Sequence, residues 1–193
     1  MTHRIDPKTV RYFESRADVF LKKCSVDERE DFILNTFAEV NKEGWFVCTN
    51  AKICSSLEKL MPYASITAIG LILKAFSKDL DSVFNTKFAH HVLHAALKRC
   101  TYDLESVALC DPLDPSYSDR LTDLVNRLLL SNEFDTFVVD AITCPLLQCL
   151  LIVCSKRLEE NFDSICSHIL KKSVLLKPSE ADTLAVSPEQ TVR

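Results

Sequence analysis

The sequence predicts an all-α chain built as a solenoid of stacked helical units, on three observations. First, three segments share one pattern: NAKICSSLEKL (Asn50–Leu60), TKFAHHVLHAAL (Thr86–Leu97) and DAITCPLLQCLL (Asp140–Leu151). Each opens on a small or polar residue. Four residues later comes a short polar pair, then two mostly apolar residues, then a polar residue one helical turn on. Superposed, Cys54, His90 and Cys144 coincide, and so do Glu58, His94 and Gln148. Cys54 and His90 are 36 residues apart, and a period between about 20 and 50 residues is the signature of stacked helical units. Second, the 193 residues include only 2 glycines, too few for the turns of an all-β protein. Third, apolar residues recur at helical spacing, and no useful strand-period segment occurs.

The elements follow in order. Asp6-Pro7 starts a helix, with Asp6 as cap and Pro7 in the first helical position. Val10, Phe13, Ala17, Phe20 and Leu21 form its apolar stripe. Ser25 to Glu28 reads as a capping box, and Phe32, Ile33, Phe37 and Val40 supply the next stripe, which Gly44 ends. Leu57, Leu60 and Met61 make a third stripe, broken by Pro62. Thr67–Phe76 and Phe88–Leu97 are two further helices, joined by a polar link at Ser77–Asn85. CDPLDPSYSDR (Cys110–Arg120) carries two prolines and is expected to be a loop; it explains the longer step of 54 residues from His90 to Cys144. Leu121–Leu130, Ala141–Cys154 and Leu158–Leu170 are helices. From Pro178 the chain is rich in Ser, Thr, Pro and Glu without a stripe, a composition expected to be disordered. Val153, Ile165, Ile169 and Leu170 lead into that tail with no further unit to cover them. Solenoid ends need polar caps, so the chain is expected to correspond to the start of a longer solenoid.

Composition narrows the function. Apolar residues are 47% and charged residues 26%, ordinary for a globular chain of one domain. No run of about 18 apolar residues appears, so no membrane span is expected. Met1–Val10 is polar and charged, so no secretory signal is expected. The 9 cysteines are odd in number and no pair has CxxC spacing. They read as small apolar residues in a reducing compartment. The net charge is −4, whereas a protein that binds nucleic acid mainly through phosphates is usually basic.

The recurring segment resembles the second helix of the Pumilio repeat. Its pattern is roughly acidic, any, aromatic, small, reader, stacker, apolar, apolar, reader. TKFAHHVLH (Thr86–His94) matches with Phe88 in the aromatic place and Ala89 in the small one. DAITCPLLQ (Asp140–Gln148) matches at Asp140, Cys144 and Gln148. NAKICSSLE (Asn50–Glu58) matches at Cys54 and Glu58, with Ile53 in place of the small residue. With the flanking stretches IDPKTVRYFESRADVF, DEREDFILNTFAEVNKE and KICSSLEKLMPYAS, the region Ile5–Arg157 looks like the amino-terminal portion of the nucleolar protein nine family, divergent Pumilio-like proteins of ribosome assembly. The resemblance implies a right-handed α-solenoid of Pumilio-like helical repeats. Residues 1–24 would form an amino-terminal capping helix, 25–176 about three repeats plus a partial one, and 177–193 a disordered tail.

It also implies a site. Two residues one turn apart would touch a base edge: Cys54/Glu58, His90/His94 and Cys144/Gln148. Ser55, His91 and Pro145 would take the stacking place between them. By the family's base code Cys/Gln favours adenine and small/Glu favours guanine, while His/His has no standard assignment. Lys52, Lys59, Lys87, Lys98 and Arg99 flank these helices and would meet phosphates. The implied partners are single-stranded or structured precursor ribosomal RNA, near a small-subunit processing site, and preribosomal particle proteins, in the nucleolus.

Other chemistry fits the residues less well. His90 and His94 have the spacing of helical zinc ligands, but His91 stands where a metalloprotease needs Glu, and no third ligand is evident; no metal is expected. Cysteine nucleophiles need a gathered His and Asp or Asn, and nothing in the sequence links them. Neither glycine lies in a phosphate-cradling loop. Asp27–Asp31 reads as a solvated first turn complementing the helix dipole. The expectation is a non-enzymatic RNA-binding protein without cofactor, membrane or small-molecule substrate. The alternative is a protein-binding solenoid of the HEAT or armadillo kind, which the acidic balance favours.

Overall fold

The computed structural model describes residues 4–106 and 115–175, and every regular element in them is helical. Ten α-helices and two 3-10 turns follow one another: α1 (Pro7–Lys23), α2 (Arg29–Glu43), a 3-10 turn (Trp45–Thr49), α3 (Ala51–Leu60), a 3-10 turn (Met61–Tyr63), α4 (Ile66–Phe76), α5 (Leu80–Phe84), α6 (Ala89–Ser106), α7 (Pro115–Leu130), α8 (Phe134–Val139), α9 (Cys144–Arg157) and α10 (Glu159–Leu175).

The helices form two rows. In one row α1 packs on α3, α3 on α6 and α6 on α9; in the other α2 packs on α4, α4 on α7 and α7 on α10. One continuous core runs between the rows, from Phe13 of α1 through Phe37 of α2, Leu57 of α3 and Ile72 of α4 to Ile165 of α10. Short pieces precede the inner-row helices: the turn Trp45–Thr49 before α3, α5 before α6 and α8 before α9. Among the described residues the repeating unit is thus short, inner, outer, and it occurs three times after α1 and α2.

Helix starts are set locally. The Asp6 carboxylate accepts from the Lys8 N–H (2.8 Å), with Pro7 in the first turn. Ser65 and Asp79 cap α4 and α5 through the N–H groups of Ala68 and Ser82. Gly44 ends α2 at φ 105°, its N–H bonding the Val40 carbonyl, a conformation that costs any residue with a Cβ.

Several expectations need correction. Ser77–Asn85 is not merely a polar link: it holds α5, with Leu80 and Val83 buried. Asp79 supplies a cap, and the i, i+3 pair Leu80/Val83 supplies the apolar side. The expected loop Cys110–Arg120 is helical from Pro115 onward, because proline is well placed in a first helical turn; its residues 110–114 lie outside the described residues. α8 was not foreseen, although Phe134 and Phe137 bury at helical spacing. The Ser25–Glu28 box forms only in part. The Ser25 backbone N–H and hydroxyl both donate to the Glu28 carboxylate (3.2 and 2.7 Å), and the helix begins one residue later at Arg29. The tail 177–193 lies outside the described residues.

Candidate nucleic-acid interface

The three recurring segments land in one register on the inner row. Asn50 and Asp140 each close their helix start by the same hydrogen bonds: the side-chain oxygen accepts from the N–H groups two and three residues on. The backbone carbonyl of the same residue then takes the N–H of Cys54 or Cys144. At Thr86, which holds this place in the middle unit, the carbonyl bonds His90 through its ring (2.8 Å) instead.

Burial repeats with the register. The place before the first edge-reading position is buried in all three units, by Ile53, Ala89 and Thr143. The two positions after the stacking place are buried too: Ser56 and Leu57, Val92 and Leu93, Leu146 and Leu147. Between them the stacking place is open at Ser55 and His91 and half-buried at Pro145. The second edge-reading position is half-buried at Glu58 and His94 and exposed at Gln148. A helix with one buried side per turn leaves such a row exposed along every inner helix.

The first edge-reading position is less open than the sequence implied. Cys54 is 3% exposed and His90 5%. The Cys54 thiol donates to the Phe88 carbonyl (3.2 Å), tying α3 to the segment that opens α6. Burial pushes this thiol up to about 12, with Glu58 adding to the shift. In the third unit Gln148 donates to the Cys144 sulfur (3.6 Å), so the two edge candidates there hold each other.

The middle unit is the most developed. His90 and His91 stand with ring centroids 4.1 Å apart. The Thr86 carbonyl can only accept, so His90 Nδ1 carries the proton and Nε2 keeps the lone pair. Burial lowers the His90 titration below its ordinary value; the neighbouring His91 lowers it further, while the Thr86 bond and the charges of Asp140 and Glu58 oppose this. His94 is lowered by burial first and then by Lys98, His91 and His90, with Glu58 opposing. The fold therefore gathers Glu58 of α3, three histidines of α6 and Asp140 ahead of α9 at one place. Sequence reading paired residues only within a helix and missed this cross-helix grouping.

The basic residues are unequal. Lys59 and Lys98 are exposed. Lys52 is exposed but paired to Glu14 of α1 at 2.9 Å, a surface ion pair of about 0–1 kcal/mol that a phosphate can displace. The Lys87 ammonium lies 5.3 Å from the Phe88 ring. Arg99 is half-buried, so it presents less to a ligand than Lys98. Glu14 and Asp18 line a shallow groove with Lys52, Ser55 and Lys59, so this end of the face is mixed in sign.

Sequence reading also missed Ser56. Its buried hydroxyl donates to the Phe13 carbonyl (2.7 Å) and accepts from the Ala17 N–H (3.2 Å), stapling α3 to α1. Among the described residues no group of three His, Cys, Asp or Glu side chains is arranged to hold a metal, and no helix is long and apolar enough to cross a membrane.

No family model matches the chain. No curated protein matches it. Its fold is similar to solved structures of APUM23, a Pumilio-family RNA-binding protein. The structure of APUM23 lacking its insert region, with GGAAUUGACGG, superposes with a TM-score of 0.70 at 21% identity, over 92% of this chain and 33% of that one. APUM23 with GGAAUUGACGG gives 0.68 at 20% identity, over 92% and 36%; APUM23 with GGAGUUGACGG gives 0.65 at 20%, over 78% and 27%. The chain thus spans about a third of the length of these neighbours. The two rows and the three-part unit are those of a right-handed α-solenoid of Pumilio-like helical repeats.

Proposed function

We propose that this chain binds single-stranded or structured RNA along its inner row and takes part in ribosomal precursor RNA processing and small-subunit assembly in the nucleolus, beside preribosomal proteins. The observation that carries RNA binding is the common register: Ser55, His91 and Pro145 occupy one place in successive units, exposed at the first two and half-buried at Pro145, flanked by residues one turn apart. The neighbouring folds are solved with RNA, which supports RNA as the partner. The ribosomal setting rests on the resemblance of Ile5–Arg157 to the nucleolar protein nine family. The mechanism is occlusion and scaffolding, without covalent chemistry, cofactor or small-molecule substrate.

Three units engage about three bases, each contributing on the order of 1–3 kcal/mol by stacking. Association itself costs several kcal/mol, so binding is expected to be roughly micromolar or weaker. The test is an anisotropy titration of the whole chain with GGAAUUGACGG RNA and a scrambled RNA across a salt series. Saturable binding at low salt supports the proposal; its absence overturns it. One observation favours the second reading, a HEAT- or armadillo-like protein-binding solenoid: Glu14 and Asp18 place negative charge in the groove beside Ser55, and Glu14 already holds Lys52. Failure to bind either RNA, with capture of a basic preribosomal protein, would favour that reading.

A further inference from the structure

The middle unit places three imidazoles, His90, His91 and His94, along about one turn of α6. Resting on the RNA-binding reading, we propose that the cluster His90, His91 and His94 takes up a proton when RNA binds, so that affinity for RNA rises as pH falls through the neutral range. The geometry supplies the reason. His90 is nearly enclosed and its ring lies against His91, so a proton added to either is repelled by the next. Lys98, one turn beyond His94, adds to that repulsion. The opposing groups are Glu58 from α3 and Asp140 from the turn before α9. The Cys54 thiol stays protonated throughout this range and contributes no charge. In the free protein the balance holds His90 and His94 below their ordinary titration range.

An RNA strand changes that balance. A phosphodiester laid against the half-buried His94, beside the base-stacked His91, brings a fixed negative charge within a few ångströms, which favours imidazolium. His90 gains something more specific. Its Nδ1–H is already committed to the Thr86 carbonyl, so the added proton sits on Nε2 and converts an acceptor into a donor. Binding and protonation then support each other, and linkage requires that affinity follow pH.

The experiment measures RNA affinity of the whole chain from pH 6.0 to 8.0 at fixed ionic strength, with GGAAUUGACGG RNA, whose own groups do not titrate there. Calorimetry in two buffers of different ionisation enthalpy counts protons taken up. Affinity is expected to rise about threefold to tenfold from pH 7.5 to 6.5, the range for up to one proton. The triple variant His90→Gln, His91→Gln and His94→Gln should flatten this slope while helix content by circular dichroism stays unchanged. His168→Gln, a ring that packs on Phe134 in the outer row, should leave the slope intact. RNA binding that is flat with pH, with no proton uptake, overturns the inference and leaves the RNA reading standing. No RNA binding at any pH in low salt overturns both. A slope that survives the triple variant assigns the proton elsewhere and also overturns it.

Discussion

At the scale of single residues, the inner face divides into side chains committed to the fold and side chains open to a ligand. His91 is open, and it is the one aromatic ring among the three proposed stacking places. His91→Ala is expected to weaken RNA binding by about 1–3 kcal/mol, with the slope of affinity against salt unchanged, because a stacking contact releases no counterion. Lys98→Ala should do the reverse and reduce the slope by about one ion. Paired salt titrations of both variants check this. Cys54 is committed: its thiol is buried, bonded to Phe88 and raised to about 12. Cys154 is raised to a similar value by burial alone. Since the thiolate is the reactive form, both should resist iodoacetamide at pH 8 in the folded chain. The half-buried Cys24, Cys144 and Cys166 should label first, which peptide mass mapping would show. Prompt labelling of Cys54 would mean that the α3–α6 junction opens.

At the scale of elements, each junction depends on a small number of contacts that composition does not announce. Ser56 joins two helices through both ends of one turn of α1, the Phe13 carbonyl and the Ala17 N–H. Ser56→Ala removes a buried group with two partners and should cost about 1–3 kcal/mol, read as a lowered urea midpoint with unchanged cooperativity. An unchanged midpoint would show that the α1–α3 contact is carried by Phe13 and Leu57 alone. Gly44 closes α2 with positive φ while the Phe46 ring stands 3.2 Å from where a Cβ would go. Gly44→Ala should cost about 1–2 kcal/mol and lower the thermal midpoint by several degrees. Gly70 differs: it lies inside α4, and an added Cβ would press on the tip of the Arg120 side chain, which can swing away.

At the scale of the whole molecule, stability should fall in two steps as the solution is acidified. His90 and His94 titrate below their ordinary value of 6.5 in the folded chain. The unfolded chain therefore binds more protons just below that pH, and stability declines as pH drops through 6.5. Glu28 and Asp140 are also lowered, from 4.5 and 3.8, by hydrogen bonds from Ser25 and from the Thr143 and Ile142 N–H groups. Their contribution is present above those values and is lost below them. Denaturant midpoints at pH 7.5, 6.5, 5.5 and 4.0 should show the first decline before any carboxylate titrates. A flat profile between 7.5 and 5.5 would mean that the histidines are freely solvated.

The sequence by itself determined the helical class and the register of the three inner helices. Those features depend on local rules: Asn50 and Asp140 cap their own chain, and apolar residues at helical spacing bury one side of each helix. It also placed α1, α2 and α4 close to where they fold. The short helices α5 and α8 escaped it, because five or six residues carry too little periodicity to stand out, and packing against α6, α7 and α9 helps to hold them. The tertiary structure alone decided which polar residues remain available. Cys54 and His90 sit at the expected register, yet they turn into contacts made by a neighbouring unit or by their own helix start. The grouping of Glu58, Asp140 and the α6 histidines was likewise invisible, since its members lie up to 82 residues apart in sequence. Their meeting depends on how closely α3, α6 and α9 approach, which is set by side-chain volume in the core between the two rows.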